Sequence, residues 1–199
     1  DSTLGVAFDV LDYALLSAPG APLKQALLDA GIGKEIYGDY SDGVLQPFFS
    51  IVAKGAKTSQ KENFVSVIRN CLQDIVRNGI DKKAILAGIN YMEFRYREAD
   101  FRQFPKGLMY GLDIMGSWLY DDENAFSQVQ LLSIYDRLKE AVNEGYFEKL
   151  IQKWLLDNTH GLILTLVPKR GLAAQREKEL ADKLEAYRSS LSDGQLEEM

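Results

Sequence analysis

Residues 35–53 read EIYGDYSDGVLQPFFSIVA. Glu35–Tyr40 and Val44–Ala53 have the composition of two strands, and Asp42-Gly43 between them is a strong two-residue turn signal. Pro47 removes a backbone donor, so the second strand is expected to lie at an edge or to bulge there. A hairpin of two strands is marginal on its own. The rest of the fold must supply a face for it to pack on.

Helices supply that face on both sides of the hairpin. Leu4–Leu16 carries Leu4, Phe8, Leu11 and Leu15 on one side and Val6, Val10 and Tyr13 on the other, as a helix buried nearly all round does. Ser17-Ala18-Pro19-Gly20 stops it. Pro22 opens a second helix through Ala30, closed by Gly31. The spacing of Phe64, Val67, Ile68, Cys71, Leu72 and Ile75 predicts a helix over Thr58–Asn78. Ser59 and Glu62 stand at capping-box spacing, and Gly79 ends the helix. Asp81 caps the next helix, with Ile85, Ile89, Met92 and Tyr96 as its apolar face. Pro105 opens another, with Leu108, Leu112, Met115 and Leu119. Further helices are expected at Ser127–Asn143 and Tyr146–Leu156.

Gly161–Val167, GLILTLV, is apolar apart from Thr165 and reads as a central strand ended by Pro168. From Leu172 onward Leu180, Leu184, Tyr187 and Leu191 form one narrow stripe among charged residues, a segment expected to project and pack elsewhere. Together these imply an α+β fold with helices on one face of a mostly antiparallel sheet and a C-terminal helical extension. Residues 1–168 form the domain and 169–199 the extension. The first strand or strands of the sheet are expected upstream of Asp1. Asp1-Ser2-Thr3 reads at once as a helix start, and Leu196–Met199 falls within a charged helical pattern, so both ends are expected to be cut.

The 199 residues include 46% hydrophobic and 26% charged residues, which excludes a mostly disordered chain. The net charge of −6 gives no electrostatic footprint for nucleic acid. No apolar run approaches the roughly 18 residues of a membrane helix. The rarest residues exclude most. One cysteine, Cys71, permits neither an intrachain disulfide nor a cysteine-based zinc site. One histidine, His160, excludes the two-histidine helix of a zinc protease.

Few residues remain as carriers of chemistry. Cys71 lies on an apolar helix face and reads as a small hydrophobe. His160, in Asp157-Asn158-Thr159-His160-Gly161, reads as part of a turn, and a general base would need a partner that the sequence does not identify. Glu93, Arg95, Arg97, Glu98, Asp100 and Arg102 could do acid–base work or grip a carboxylate. They could equally be a solvated helix end with i, i+4 pairs such as Glu93–Arg97 and Glu98–Arg102. Gly107, Gly111 and Gly116 permit close backbone packing in one helix. The tyrosines and phenylalanines at helical spacing read as core. On these residues alone the chain is an α+β segment without a convincing catalytic constellation.

Four strings together resemble one family: LDYALLSAPGAPL at 11–23, FPKGL at 104–108, WLYDD at 118–122 and DNTHG at 157–161. They are similar to the second domain of pitrilysin/insulinase-type zinc metallopeptidases of the presequence-protease subgroup, in order and spacing along nearly the whole chain. The resemblance implies a parent of four homologous α/β domains in two halves. A helical hairpin joins the halves, which close around a chamber for unfolded peptides, and the stretch after Leu172 resembles the start of that hairpin. In this family the zinc motif, His-x-x-Glu-His, lies on the first helix of the first domain. In that register Asp9 and Tyr13 stand here in place of the histidines and Asp12 in place of the glutamate base.

The resemblance thus implies a chain with no catalytic residue and no metal site of its own, and zinc in the parent protein. The family's substrate-gripping Arg and Tyr belong to its fourth domain and are not carried over to Arg95 or Tyr96. Expected partners are the catalytic domain and other half of the same parent chain, and the peptide substrate, with neither nucleic acid nor membrane. The expected compartment is bacterial cytoplasm or an organelle. The alternatives are an independent inactive homologue acting as scaffold or partner subunit, and an unrelated enzyme using His160 or the Glu93–Arg102 cluster.

Overall fold

The computed structural model describes residues 2–99, 101–192 and 194–195. Asp1 as a helix start, Asp100 in the charged run and the closing Leu196–Met199 lie outside them. The chain divides into two compact units, Asp1–Leu162 and Ile163–Met199.

The first unit is built around α1 (Ser2–Asp12) and the π-helical turn Tyr13–Ser17 that continues it. Val10, Leu11 and Leu15 are wholly buried. Leu4–Leu16 is thus the all-round buried helix that its residues imply. Pro22 opens α2 (Pro22–Asp29), and Gly31 follows it with φ 65°, the left-handed conformation that favours glycine. Together, Ser2–Asp29 is long and apolar enough to cross a membrane by length and composition, which the absence of a long unbroken apolar run did not suggest. Its apolar side chains belong to the core of this unit, the position of a central helix in a globular fold.

The hairpin forms as β1 (Glu35–Ser41) and β2 (Phe48–Lys54), antiparallel, with Ser41 opposite Phe48 and Glu35 opposite Lys54. The expected two-residue turn is replaced by a six-residue loop, 42–47. The second strand starts at Phe48, not Val44, because Pro47 has no N–H to give to a ladder. Ile36, Gly38 and Tyr40 pair with Ala53, Ile51 and Phe49 and form the helix-facing side. Phe8 of α1 stacks on Tyr40 with ring centroids 5.1 Å apart and meets Phe49 at 6.0 Å. Tyr37 and Phe48 are exposed on the other side. This is an α+β arrangement with a small antiparallel sheet.

Gly38 sets the spacing between hairpin and helix. A Cβ there would lie 2.2 Å from Leu16 Cδ1, 2.7 Å from the Ser50 carbonyl oxygen and 2.8 Å from Asp12 Oδ1. Only glycine lets the strand approach this closely.

The remaining helices are α3 (Lys61–Asn78), α4 (Lys82–Glu98), α5 (Lys106–Trp118), α6 (Leu132–Ala141), α7 (Tyr146–Leu150) and α8 (Leu172–Ser189). The start of α3 is not the expected Ser59–Glu62 box. Gln60 Oε1 accepts from the Lys57 N–H at 2.9 Å, two residues earlier, and Gln60 Nε2 donates to the Gly31 carbonyl at 3.0 Å. Asp81 caps α4 as expected, accepting from the Lys83 and Ala84 N–H groups at 2.9 and 3.3 Å. The helix expected at 127–143 is shorter, with tight 3-10 turns at Ser127–Val129 and Val142–Glu144 on either side of α6. That expected at 146–156 continues α7 as a π-helical stretch, Ile151–Leu156.

Four expectations fail among the described residues. Gly161–Val167 takes up no regular secondary structure and pairs with no strand among the described residues. Helix α5 has no buried residue: Leu108, Leu112, Met115 and Leu119 are all exposed. A Cβ at Gly107, Gly111 or Gly116 would meet nothing within 4 Å, so no close packing is made there among the described residues. Several aromatics expected in the core, among them Phe94, Phe104 and Phe126, are exposed. In the second unit α8 has no buried residue, and Leu180, Leu184 and Tyr187 are exposed along it.

Gly38→Ala is expected to destabilise the first unit by about 1–3 kcal/mol, because backbone cannot yield as a side-chain end can. Gly107→Ala, in open helix, is expected to stabilise by about 0.5–1 kcal/mol. Urea unfolding of both variants checks the pair.

Candidate functional site

Asp9 and Asp12 stand three residues apart on α1, so they share the helix face turned to the hairpin. β1 brings Asp39 and Tyr40 to the same place, the following loop brings Asp42, and α5 brings Asp113. They line an open cleft of about 520 Å³, with Arg95 and Tyr96 from α4 and Tyr135 from α6. Arg95 is the only cation among the described residues that line it. Its guanidinium also lies 5.7 Å from the centre of the Tyr91 ring.

Burial and mutual repulsion raise the acids of this cleft. The Asp9 carboxyl is pushed up to about 7, first by burial and then by Asp42, Asp12 and Asp39. Asp12 is raised by burial and by Asp39, partly offset by the Ser17 hydroxyl, which donates to Oδ2 at 3.4 Å. Its Oδ1 is buried with no hydrogen-bond donor among the described residues. Asp113 is raised by burial and Asp42, and Tyr40 by burial, Asp42 and Asp9. Tyr135 is pushed up to about 12, chiefly by burial, with Asp9 contributing and Arg95 opposing.

A carboxyl near 7 is in the range of a general acid or base. Among the described residues that line the cleft there is no Ser, Thr, Cys, Lys or His. Tyr13 does not line the cleft: its ring stacks on Tyr91, centroids 5.2 Å apart, on the α4 side of the helix. Of the three positions in the zinc-motif register, the structure therefore brings Asp9 and Asp12 together and sends Tyr13 elsewhere. Among the described residues no three His, Cys, Asp or Glu side chains are grouped so that they could hold a metal ion. The donor set does not fit zinc.

His160, Cys71 and Glu93 lie outside this cleft. His160 is exposed, and its backbone N–H donates to Asn158 Oδ1 at 2.8 Å. Cys71 is half-buried, and burial, with Asp74, pushes its thiol up and away from the reactive thiolate. Glu93 is buried and takes Arg97 on Oε1, at 2.8 Å from Nε and 2.6 Å from Nη2, and Lys139 on Oε2. Hydrogen bonds from Lys139 and then Arg97 hold its carboxyl below the usual range. The Glu93–Arg97 pair is the expected i, i+4 contact. Lys139, 46 residues away, turns it into a clasp between α4 and α6 that no local pattern announces. Asp39, Asp42 and Asp113 were likewise absent from the sequence-based candidates, since only the fold brings them to α1.

The chain matches no family profile. It is 40% identical over 199 residues to a protein named HypA from Clostridium perfringens, covering 100% of this chain and 20% of that one. It is 30% identical over 199 residues to presequence protease 1, chloroplastic/mitochondrial, of Arabidopsis thaliana, covering 98% of this chain and 18% of the relative. Against the mitochondrial presequence protease of Danio rerio the identity is 25% over 178 residues, covering 85% and 17%. The chain spans about a fifth of the length of these curated relatives.

Because the folded-state value of Asp9 lies above the unfolded one, its stabilisation is full below about pH 4 and is lost as pH rises toward 7. Asp9→Asn is expected to remove this component and to raise stability at pH 8 by on the order of 3 kcal/mol. Denaturant titrations of wild type and variant at pH 5 and pH 8 check the difference between them.

Proposed function

Because the chain belongs to the presequence-protease family of pitrilysin/insulinase-type peptidases along its whole length, we propose that it is a non-catalytic structural domain of a zinc metalloendopeptidase. In this reading it is the second domain of the parent chain, and residues 169–199 begin the helical linker between two halves. It forms part of the wall of a closed chamber in which unstructured peptides are cut, and it braces the catalytic domain. Its partners are that domain, the other half of the same chain and the peptide substrate. The parent acts in bacterial cytoplasm or in an organelle.

One observation carries this reading. The chain aligns from end to end with about a fifth of each of its two most similar relatives named here, yet its one histidine cannot supply a two-histidine zinc motif. A zinc site with an open catalytic position needs three protein ligands, and the helix in the corresponding register offers Asp9, Asp12 and a Tyr13 turned toward α4. The exposed apolar residues of α5 and of 161–167 also support it, since apolar surface of this kind is usually covered by something.

The full-length parent protein should cleave an unstructured peptide, lose that activity to a chelator and regain it with zinc. The 199-residue chain under the same conditions should cleave nothing. Zinc-dependent cleavage by the pure 199-residue chain would overturn the non-catalytic assignment. An inactive full-length protein would instead favour a scaffold or partner subunit.

A further inference from the structure

Helix α5, KGLMYGLDIMGSW, holds only two charged residues, Lys106 and Asp113. Leu108, Leu112, Met115 and Leu119 form a row along it, the last at its C-terminal cap, and they are 48% to 70% exposed. The helix leans chiefly on the tight turns that follow it, Asp122–Asn124 and Ser127–Val129. There the Ser117 hydroxyl donates to the Ala125 carbonyl at 2.6 Å. Ala125 is the one buried residue in 101–130. A helix with so few polar positions belongs inside a protein, yet its apolar row lies in water.

The same helix borders the acidic cleft. Leu112 belongs both to the apolar row and to the cleft lining, and Asp113 lines the cleft beside it. There Asp9, Asp12, Asp39, Asp42 and Asp113 gather around one cation, Arg95. Asp12 Oδ1 is buried with no donor among the described residues. Repulsion within such a set is relieved by a further positive charge.

These two neighbouring features restrict what can cover them. A second copy docked face to face would set five aspartates against five, which like-charge repulsion disfavours. A peptide that comes and goes would leave the apolar row in water between visits, so the cover has to be permanent. The relatives are about five times longer than this chain, so ample polypeptide exists to supply it.

We propose that the apolar row of α5 and the adjoining acidic cleft are one docking surface for a segment of the parent polypeptide outside these 199 residues. That segment lays apolar side chains on Leu108, Leu112, Met115 and Leu119 and directs a lysine or arginine into the cleft. The inference rests on the placement in a longer protein proposed above and names the surface and chemistry of that contact. Its readout is a covalent link, so a failure of peptidase activity would bear on that placement alone.

The full-length protein with p-benzoylphenylalanine in place of Leu112 tests it. Irradiation followed by peptide mass spectrometry should give a link within one chain, from position 112 to a segment outside the 199 residues. A link between two chains would overturn the proposal. So would a link confined to residues 1–199, one formed only when an unstructured peptide is added, or none at all. The captured segment should carry a lysine or arginine whose replacement by glutamate lowers the yield of the link about tenfold or more, and Asp42→Lys in the same protein should restore it. An unchanged yield after that replacement would contradict the charge pairing. If the charge-reversed protein does not fold, the link formed by the protein altered at position 112 alone still decides the docking surface.

Discussion

The fold depends on burying one helix from every side. Val6, Phe8, Val10, Leu11 and Leu15 leave α1 and its π-helical continuation no apolar face to show to water. The hairpin, α4 and α6 all pack against it. Phe8 on Tyr40 and Gly38 beneath Leu16 tie in the hairpin, Tyr13 on Tyr91 ties in α4, and on α6 Arg137 donates to the Thr3 hydroxyl at 3.1 Å. The polar residues that α1 does carry are consequently trapped near the core. Asp9 and Asp12 sit where the hairpin meets the helix, and their raised titration follows from that packing.

Much of this was legible in the residues. The helical periods of α3 and α4, the Asp81 cap and the all-round apolar α1 follow from local chemistry. The hairpin was legible as an element, but its turn was not. Asp42-Gly43 is a strong turn signal in isolation, yet Pro47 forbids the register that would use it, and the loop grows to six residues. The acidic cleft was legible only at Asp9 and Asp12. Asp39, Asp42 and Asp113 reach it from a strand, a loop and α5, and no spacing rule connects those positions. The Glu93–Arg97–Lys139 clasp was half legible for the same reason.

The failed expectations share one cause. The pattern of α5 announces an apolar face and GLILTLV announces a central strand, and both patterns are present as written. Periodicity tells what a segment needs to bury, never what will bury it. Where the partner lies within the described residues, as for α1 and α3, need and structure agree. Where the partner is not among them, the same apolar residues stand exposed. These mismatches point in one direction, toward part of a larger protein, as does the end-to-end similarity to about a fifth of longer relatives.

The central claim is that this region holds no part of the zinc site. In the full-length protein, the double variant Asp9→Asn, Asp12→Asn tests it most directly, because it removes both carboxylates that occupy the motif register while leaving α1 packed. Zinc content measured by inductively coupled plasma mass spectrometry should match that of the wild type. A folded double variant that has lost its zinc would contradict the account and place the metal in this cleft.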